Sequence, residues 1–210
     1  MNKQKQLKAW VLSNLRGFLK HPRTVALGEI GLDFEKEIMA NWGHQENVLE
    51  QILIGVRDIL IDRKLPIVLH LRSNVLYAYD KLADKVKRLL RDTVGVDHPI
   101  QLHCFSGTAA DVAQWIDEFP NCMFSLAVGR FQKAMAKSNN QAKMIQAIPL
   151  SKLLLETDAP YFYGGFRTPS SPLQIPNQVR GIANVLDGFS ADTLLQIALN
   201  NTANFFGIKL

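Results

Sequence analysis

Cysteine is scarce in this chain: Cys104 and Cys122 are the only two in 210 residues, and they have no CxxC spacing. That argues against a disulfide framework and predicts free, buried thiols in a reducing compartment. Long apolar runs are also missing. No stretch of about 18 or more apolar residues occurs, which excludes a bilayer-spanning helix of ordinary length. The opening residues, MNKQKQLKAW, are basic but lack an apolar core and a small-residue cleavage site, so no secretory signal is read. A cytoplasmic or nuclear location is the default expectation. Internal repeats, low-complexity tracts and linkers are absent too, and the length suits one domain over residues 1–210.

What is present is the composition of a globular protein, with 47% hydrophobic and 20% charged residues. The formal net charge is +5. A basic surface of that size is compatible with a polyanionic partner, because cations attract phosphate chains whatever their sequence.

Four apolar runs each lead into a metal-ligating residue type. Thr24 to Phe34, TVALGEIGLDF, places Glu29 between Gly28 and Gly31. Val25, Ala26 and Leu27 read as a strand buried on both faces, with Glu29 at its carboxyl end and the glycines allowing close backbone approach. A carboxylate there requires a partner, since an unpaired buried charge costs several kcal/mol. Leu65 to Arg72, LPIVLHLR, ends near His70; Pro99 to Gly107, PIQLHCFSG, carries His103; Leu153 to Pro160, LLLETDAP, carries Asp158. In a parallel α/β barrel all strand ends open on one face, so Glu29, His70, His103 and Asp158 form a candidate metal ligand set.

Between these strands the spacing predicts amphipathic helices over Gln4–Lys20, His44–Lys64, Val75–Arg91, Thr108–Phe119, Asn177–Leu186 and Ala191–Phe206. Leu7, Trp10, Val11, Leu15, Phe18 and Leu19 are the expected core stripe of the first. Thr108 and Asp111 match a loose capping box. A fifth strand is expected at Cys122–Val128, without an ionisable end. Polar residues Gln132 to Lys143 follow, and Ala159 to Pro176 is the one long irregular loop. Strands alternating with helices predict a parallel sheet with right-handed crossovers.

GEIGLDF, LPIVLHLR, LHCFSG and LLLETDAPYF, in that order, resemble the signature of the TatD family of metal-dependent deoxyribonucleases, and NNTANFFGI near the end resembles that family's last helix. The resemblance implies a TIM-barrel fold of the metal-dependent hydrolase superfamily and hydrolysis of phosphodiester bonds in DNA, with RNA as a further substrate and cleavage expected from chain ends. It implies divalent cofactors, Mg²⁺ or Mn²⁺ ahead of Zn²⁺, two ions in an intact site, held by Glu29, His70, His103 and Asp158. Only five strands are counted here, and the His-x-His pair that opens family members is absent, so the expectation is an incomplete barrel lacking the first three βα units.

Further roles follow from the residues. Asp158 is expected to bind metal and accept a proton from the attacking water, with Glu156 on the same strand face orienting that water or bonding a neighbouring strand. Arg72 is read as a phosphate clamp or a partner of Asp33. Tyr161, Phe166 and Arg167 are candidate stacking and phosphate contacts for single strands, or anchors of their loop. Cys104 should face away from His103 and pack as a small hydrophobe. Two alternatives remain: a catalytically weak or inactive binding or regulatory form of the same fold, and a small-molecule ester or amide hydrolase, against which counts the lack of a lysine at any strand end.

Overall fold

The computed structural model describes residues 7–35, 41–74, 78–127, 139–162 and 169–210. They fall into two compact units, the first comprising Met1–Gln101 with Phe119–Asn121 and the second Leu102–Glu118 with Cys122–Leu210.

The first unit contains α1 (Ala9–Lys20), β1 (Leu27–Asp33), α2 (Trp42–Arg63), β2 (Ile67–Arg72), α3 (Tyr79–Thr93) and the start of β3 (Ile100–His103). β1 and β2 run parallel, with Gly31 opposite His70 and Asp33 opposite Arg72. The amide of Ile67 donates to the Pro99 carbonyl at 3.0 Å, carrying the sheet on toward β3. Two glycines set the close β1–β2 contact. A Cβ on Gly31 would lie 1.8 Å from the His70 carbonyl oxygen, and one on Gly28 would lie 2.4 Å from Val68 Cβ. The expected close approach is therefore to the neighbouring strand.

The buried strand begins later than its apolar run suggested. Val25 is exposed, the strand starts at Leu27, and Glu29 is its third residue rather than its last. A register irregularity between Leu27 and Ile30 lets the chain continue through Gly31 to Asp33. α2 supplies most of the covering layer: Leu49, Leu53, Val56, Ile59 and Leu60 are all buried, as the apolar spacing predicts.

α1 departs from expectation. Leu19 is its one buried residue, whereas Trp10 and Phe18 are 62% and 70% exposed. Leu12 packs closely on Gly55 of α2, where a Cβ would lie 2.7 Å from its Cδ2, and polar contacts join it: the Arg16 guanidinium donates to Asp58 at 2.6 Å and to the Gly55 carbonyl at 2.7 Å. That guanidinium holds the Asp58 carboxyl down to about 2. Arg63 of α2 donates to the carbonyls of His21 and Thr24, at 3.0 and 3.2 Å. The basic face of α3 is partly neutralised within the unit, Lys85 pairing with Glu46 and buried Lys87 with Asp84.

The second unit contains the end of β3, α4 (Ala109–Glu118), β4 (Cys122–Ala127), α5 (Asn139–Ala147), β5 (Leu153–Glu156), α6 (Ile175–Ala183) and α7 (Ala191–Phe206). The amide of Phe105, just past β3, donates to the Ser125 carbonyl of β4 at 2.9 Å, and β4 pairs with β5 in parallel. Neighbours in the sheet are thus neighbours in sequence. Every residue of β4 is buried, as a strand covered on both faces requires. The Thr108–Asp111 capping pair forms: the Thr108 amide donates to Asp111, and the Asp111 amide donates to the Thr108 hydroxyl. Asn201 on α7 fixes the approach to β5, its amide donating to the carbonyls of Leu150 and Leu153 at 2.7 and 2.9 Å. Val128 and most of the polar segment after it, residues 129–138, lie outside the described residues.

Candidate functional site

Each unit presents a histidine between two carboxylates, at the carboxyl end of a parallel strand. In the first, strand pleating places His70 of β2 on the side of the sheet shared by Glu29 and Asp33 of β1. Glu29 Oε1 meets His70 Nδ1, and Asp33 Oδ2 lies 3.3 Å from His70 Nε2. The imidazole therefore has an acidic oxygen at each ring nitrogen. This set is open to solvent: the Glu29 and Asp33 side chains are 41% and 48% exposed, against 19% for His70. Glu29 is consequently not the buried carboxylate expected from its strand.

A cleft of about 600 Å³ adjoins these residues, lined by Glu29, Asp33, His44, Gln45 and His70 with apolar Val48 and Ile52. Gln45 braces the end of β1, its side-chain oxygen accepting from the Asp33 amide at 2.8 Å and its amide group donating to the Asp33 carbonyl at 2.8 Å. Asp33 was legible only as a possible partner for Arg72. The structure gives it to His70 instead, and among the described residues no ion pair joins Arg72 to Asp33. Their backbones are nonetheless in register, which was the available signal.

The second unit repeats the arrangement with less solvent. His103 Nδ1 lies 2.8 Å from Glu156 Oε2, and His103 Nε2 lies 3.4 Å from Asp158 Oδ1. The other oxygen of Glu156 accepts from the Cys104 amide. Glu156 thus bridges to the β3 chain rather than standing alone on β5. Exposure of the three side chains is 9%, 16% and 18% for His103, Glu156 and Asp158. A carboxylate on one imidazole nitrogen fixes the tautomer and aims the other nitrogen, the usual support of a metal-ligating histidine.

Cys104 corrects an expectation. Strand alternation was to turn it away from His103, but β3 ends at His103 and Cys104 takes a left-handed backbone with φ of 46°. Its sulfur, an imidazole nitrogen of His103 and a carboxylate oxygen of Asp158 lie within 4.8 Å of one another. Asp158 is also left-handed, with φ of 53°. Such conformations in non-glycine residues cost about 1–3 kcal/mol and cluster at functional positions.

In both sets the donors are imidazole nitrogen and carboxylate oxygen, which suit a divalent cation. Tyr161, three residues past Asp158, is 70% exposed, and the loop carrying it is tied down by the buried Ser170 hydroxyl, which donates to the Thr157 carbonyl at 3.0 Å. Phe166 and Arg167 lie outside the described residues. No helix among the described residues is long and apolar enough to cross a membrane.

Residues 2–207 match the sequence profile of a family described as TatD related DNase. The chain is 30% identical over 187 residues to the 3'-5' RNA nuclease TATDN2 of Homo sapiens, covering 88% of this chain and 21% of that protein. It is 31% identical over 188 residues to the uncharacterized metal-dependent hydrolase YjjV of Escherichia coli, covering 89% and 65% respectively. Identity to the 3'-5' ssDNA/RNA exonuclease TatD of Pantoea ananatis is 26%, over 94% of this chain and 72% of that one. The chain therefore spans about two thirds of the bacterial relatives and a fifth of the human one. Among solved structures, an uncharacterized amidohydrolase from Saccharomyces cerevisiae superposes with a TM-score of 0.68 at 19% identity, over 93% of this chain and 69% of the other. That likeness shows the fold class: α/β, of the barrel-like kind expected.

Proposed function

Because the chain belongs to the TatD related DNase family, we propose that it is a divalent-metal-dependent nuclease that hydrolyses phosphodiester bonds of single-stranded DNA and RNA from the 3' end. The observation that carries this reading is the carboxylate–histidine–carboxylate arrangement of Glu156, His103 and Asp158. The polarity and substrates follow the names of the relatives, a 3'-5' RNA nuclease and a 3'-5' ssDNA/RNA exonuclease.

Glu29 and His70 in the first unit, and His103 and Asp158 in the second, are the proposed ligands of Mg²⁺ or Mn²⁺, two ions in all. When bound, such ions polarise the scissile phosphate and acidify water. The remaining work falls to the chain. Glu156 accepts the His103 Nδ1 proton, holding the ring so that Nε2, on the side of Asp158, is the ligand atom. Asp33 faces the opposite ring nitrogen of His70 from Glu29, and orients that imidazole in the same manner. The second oxygen of Asp158 is the proposed acceptor for the proton of the attacking water. Arg72, at the end of β2, is the proposed clamp on a non-bridging phosphate oxygen, where a guanidinium offers two parallel donors. Exposed Tyr161, with Phe166 and Arg167, is proposed to stack and neutralise the unpaired strand, as sequence-tolerant aromatic platforms do.

The test is cleavage of 5'-labelled single-stranded DNA and RNA in Mg²⁺ or Mn²⁺, by the wild-type chain and by Asp158→Asn. A ladder shortening from the 3' end, abolished by EDTA and reduced at least ~100-fold in the variant, is expected. Wild-type turnover in a folded Asp158→Asn protein removes Asp158 from the chemistry. A ladder insensitive to EDTA overturns the metal-dependent reading.

A further inference from the structure

The donor set of the second unit contains one atom that the nuclease reading leaves unused. Cys104 Sγ stands within 4.8 Å of ligand atoms of both His103 and Asp158, and the residue is 2% exposed. We propose that Cys104 is a third protein ligand in the second unit, so that His103, Cys104 and Asp158 together bind a thiophilic divalent cation of the zinc class. The inference rests on the metal-dependent reading above and adds to it a sulfur donor, hence a preference among metals.

Three observations converge. First, the donors are of the right kinds: one nitrogen, one sulfur and one oxygen make a borderline-soft set, which Zn²⁺ takes readily, whereas Mg²⁺ favours all-oxygen octahedra. Second, the spacing fits a small site. Ligands about 2.0–2.3 Å from a tetrahedral Zn²⁺ stand roughly 3.5 Å apart, so small side-chain rotations close the set, leaving a fourth position open. Third, the sulfur is held on this side by main-chain anchoring: the Cys104 amide donates to Glu156, the same carboxylate that holds His103 Nδ1. One residue therefore fixes two of the three ligands.

The exchange balances simply. On binding, the Cys104 thiol loses its proton to bulk water, the S–H bond is replaced by a sulfur–metal bond, and no electron is transferred. Cys122 provides an internal control. It is buried in β4, and desolvation pushes its thiol up to about 11, so it stays protonated.

Cobalt(II) replaces zinc in such sites and reports its ligands directly. Titrating the full chain with Co²⁺ should produce a near-ultraviolet sulfur-to-cobalt charge-transfer band together with visible d–d bands. Zn²⁺ should erase both, and excess Mg²⁺ should not. The band should vanish in Cys104→Ser and persist in Cys122→Ser. Visible d–d bands without a charge-transfer band would leave the metal centre standing and overturn Cys104 as a ligand. A charge-transfer band lost in Cys122→Ser instead would also overturn it. No Co²⁺ or Zn²⁺ binding at all would defeat both this inference and the metal-dependent reading.

Discussion

The His70 and His103 sets use the same residue types and differ in how much water reaches them. His70 sits between two carboxylates that are each more than two-fifths exposed, and its neighbours line an open cleft. His103 sits between carboxylates less than one-fifth exposed, and one of them is tied to backbone. Charge–charge attraction is screened where water enters and strengthened where it is excluded. The same three groups should therefore act as a loose, adaptable ligand set in the first unit and as a rigid, preorganised one in the second.

The largest effect expected tests what makes the open set possible at all. Gly31→Ala would put a methyl group 1.8 Å from the His70 carbonyl oxygen, so β1 and β2 must separate. Loss of roughly 3 kcal/mol, at the upper end of ordinary overpacking costs, should appear as a large drop in the denaturation midpoint. In the second unit, Gly188 and Gly207 by contrast meet no neighbour within 4 Å. An unchanged midpoint for Gly31→Ala would mean that β1 does not need its close approach to β2.

A smaller effect sharpens the contrast in ligand support. Glu156→Gln keeps the size of the side chain but weakens its hold on His103 Nδ1, and a loss of about 10–100-fold in metal affinity is expected. Asp33→Asn makes the equivalent change beside His70, and solvent screening should confine its effect to a few-fold. Isothermal titration with Mn²⁺ measures both. Equal losses would erase the distinction between open and enclosed sets.

Much of this was legible in the sequence because the signals are local. Continuous apolar runs marked the five strands found among the described residues, and period-3.6 spacing placed α2, α4 and α7 to within a few residues. The order of the four motifs carried the family, which the profile match confirms. Other features were hidden for identifiable reasons. Trp10 and Phe18 look like core on a helical wheel, but α1 docks through Leu12 on Gly55, through buried Leu19 and through Arg16 and Arg63, and hydropathy does not register the arginines. Asp33 becomes a partner of His70 through strand register, a tertiary fact. Cys104 escaped because strand alternation holds only within a strand, and its left-handed φ falls one residue past the end of β3.

The most direct measurement is the depletion of the free Mn²⁺ paramagnetic resonance signal by the purified full chain, alongside His103→Ala. The account predicts stoichiometric loss of the signal with the wild-type chain, its recovery when acid denaturation releases the ion to water, and a smaller depletion by the variant, which keeps only the first unit's set. An undiminished signal with a folded wild-type chain, or equal depletion by His103→Ala, would contradict it.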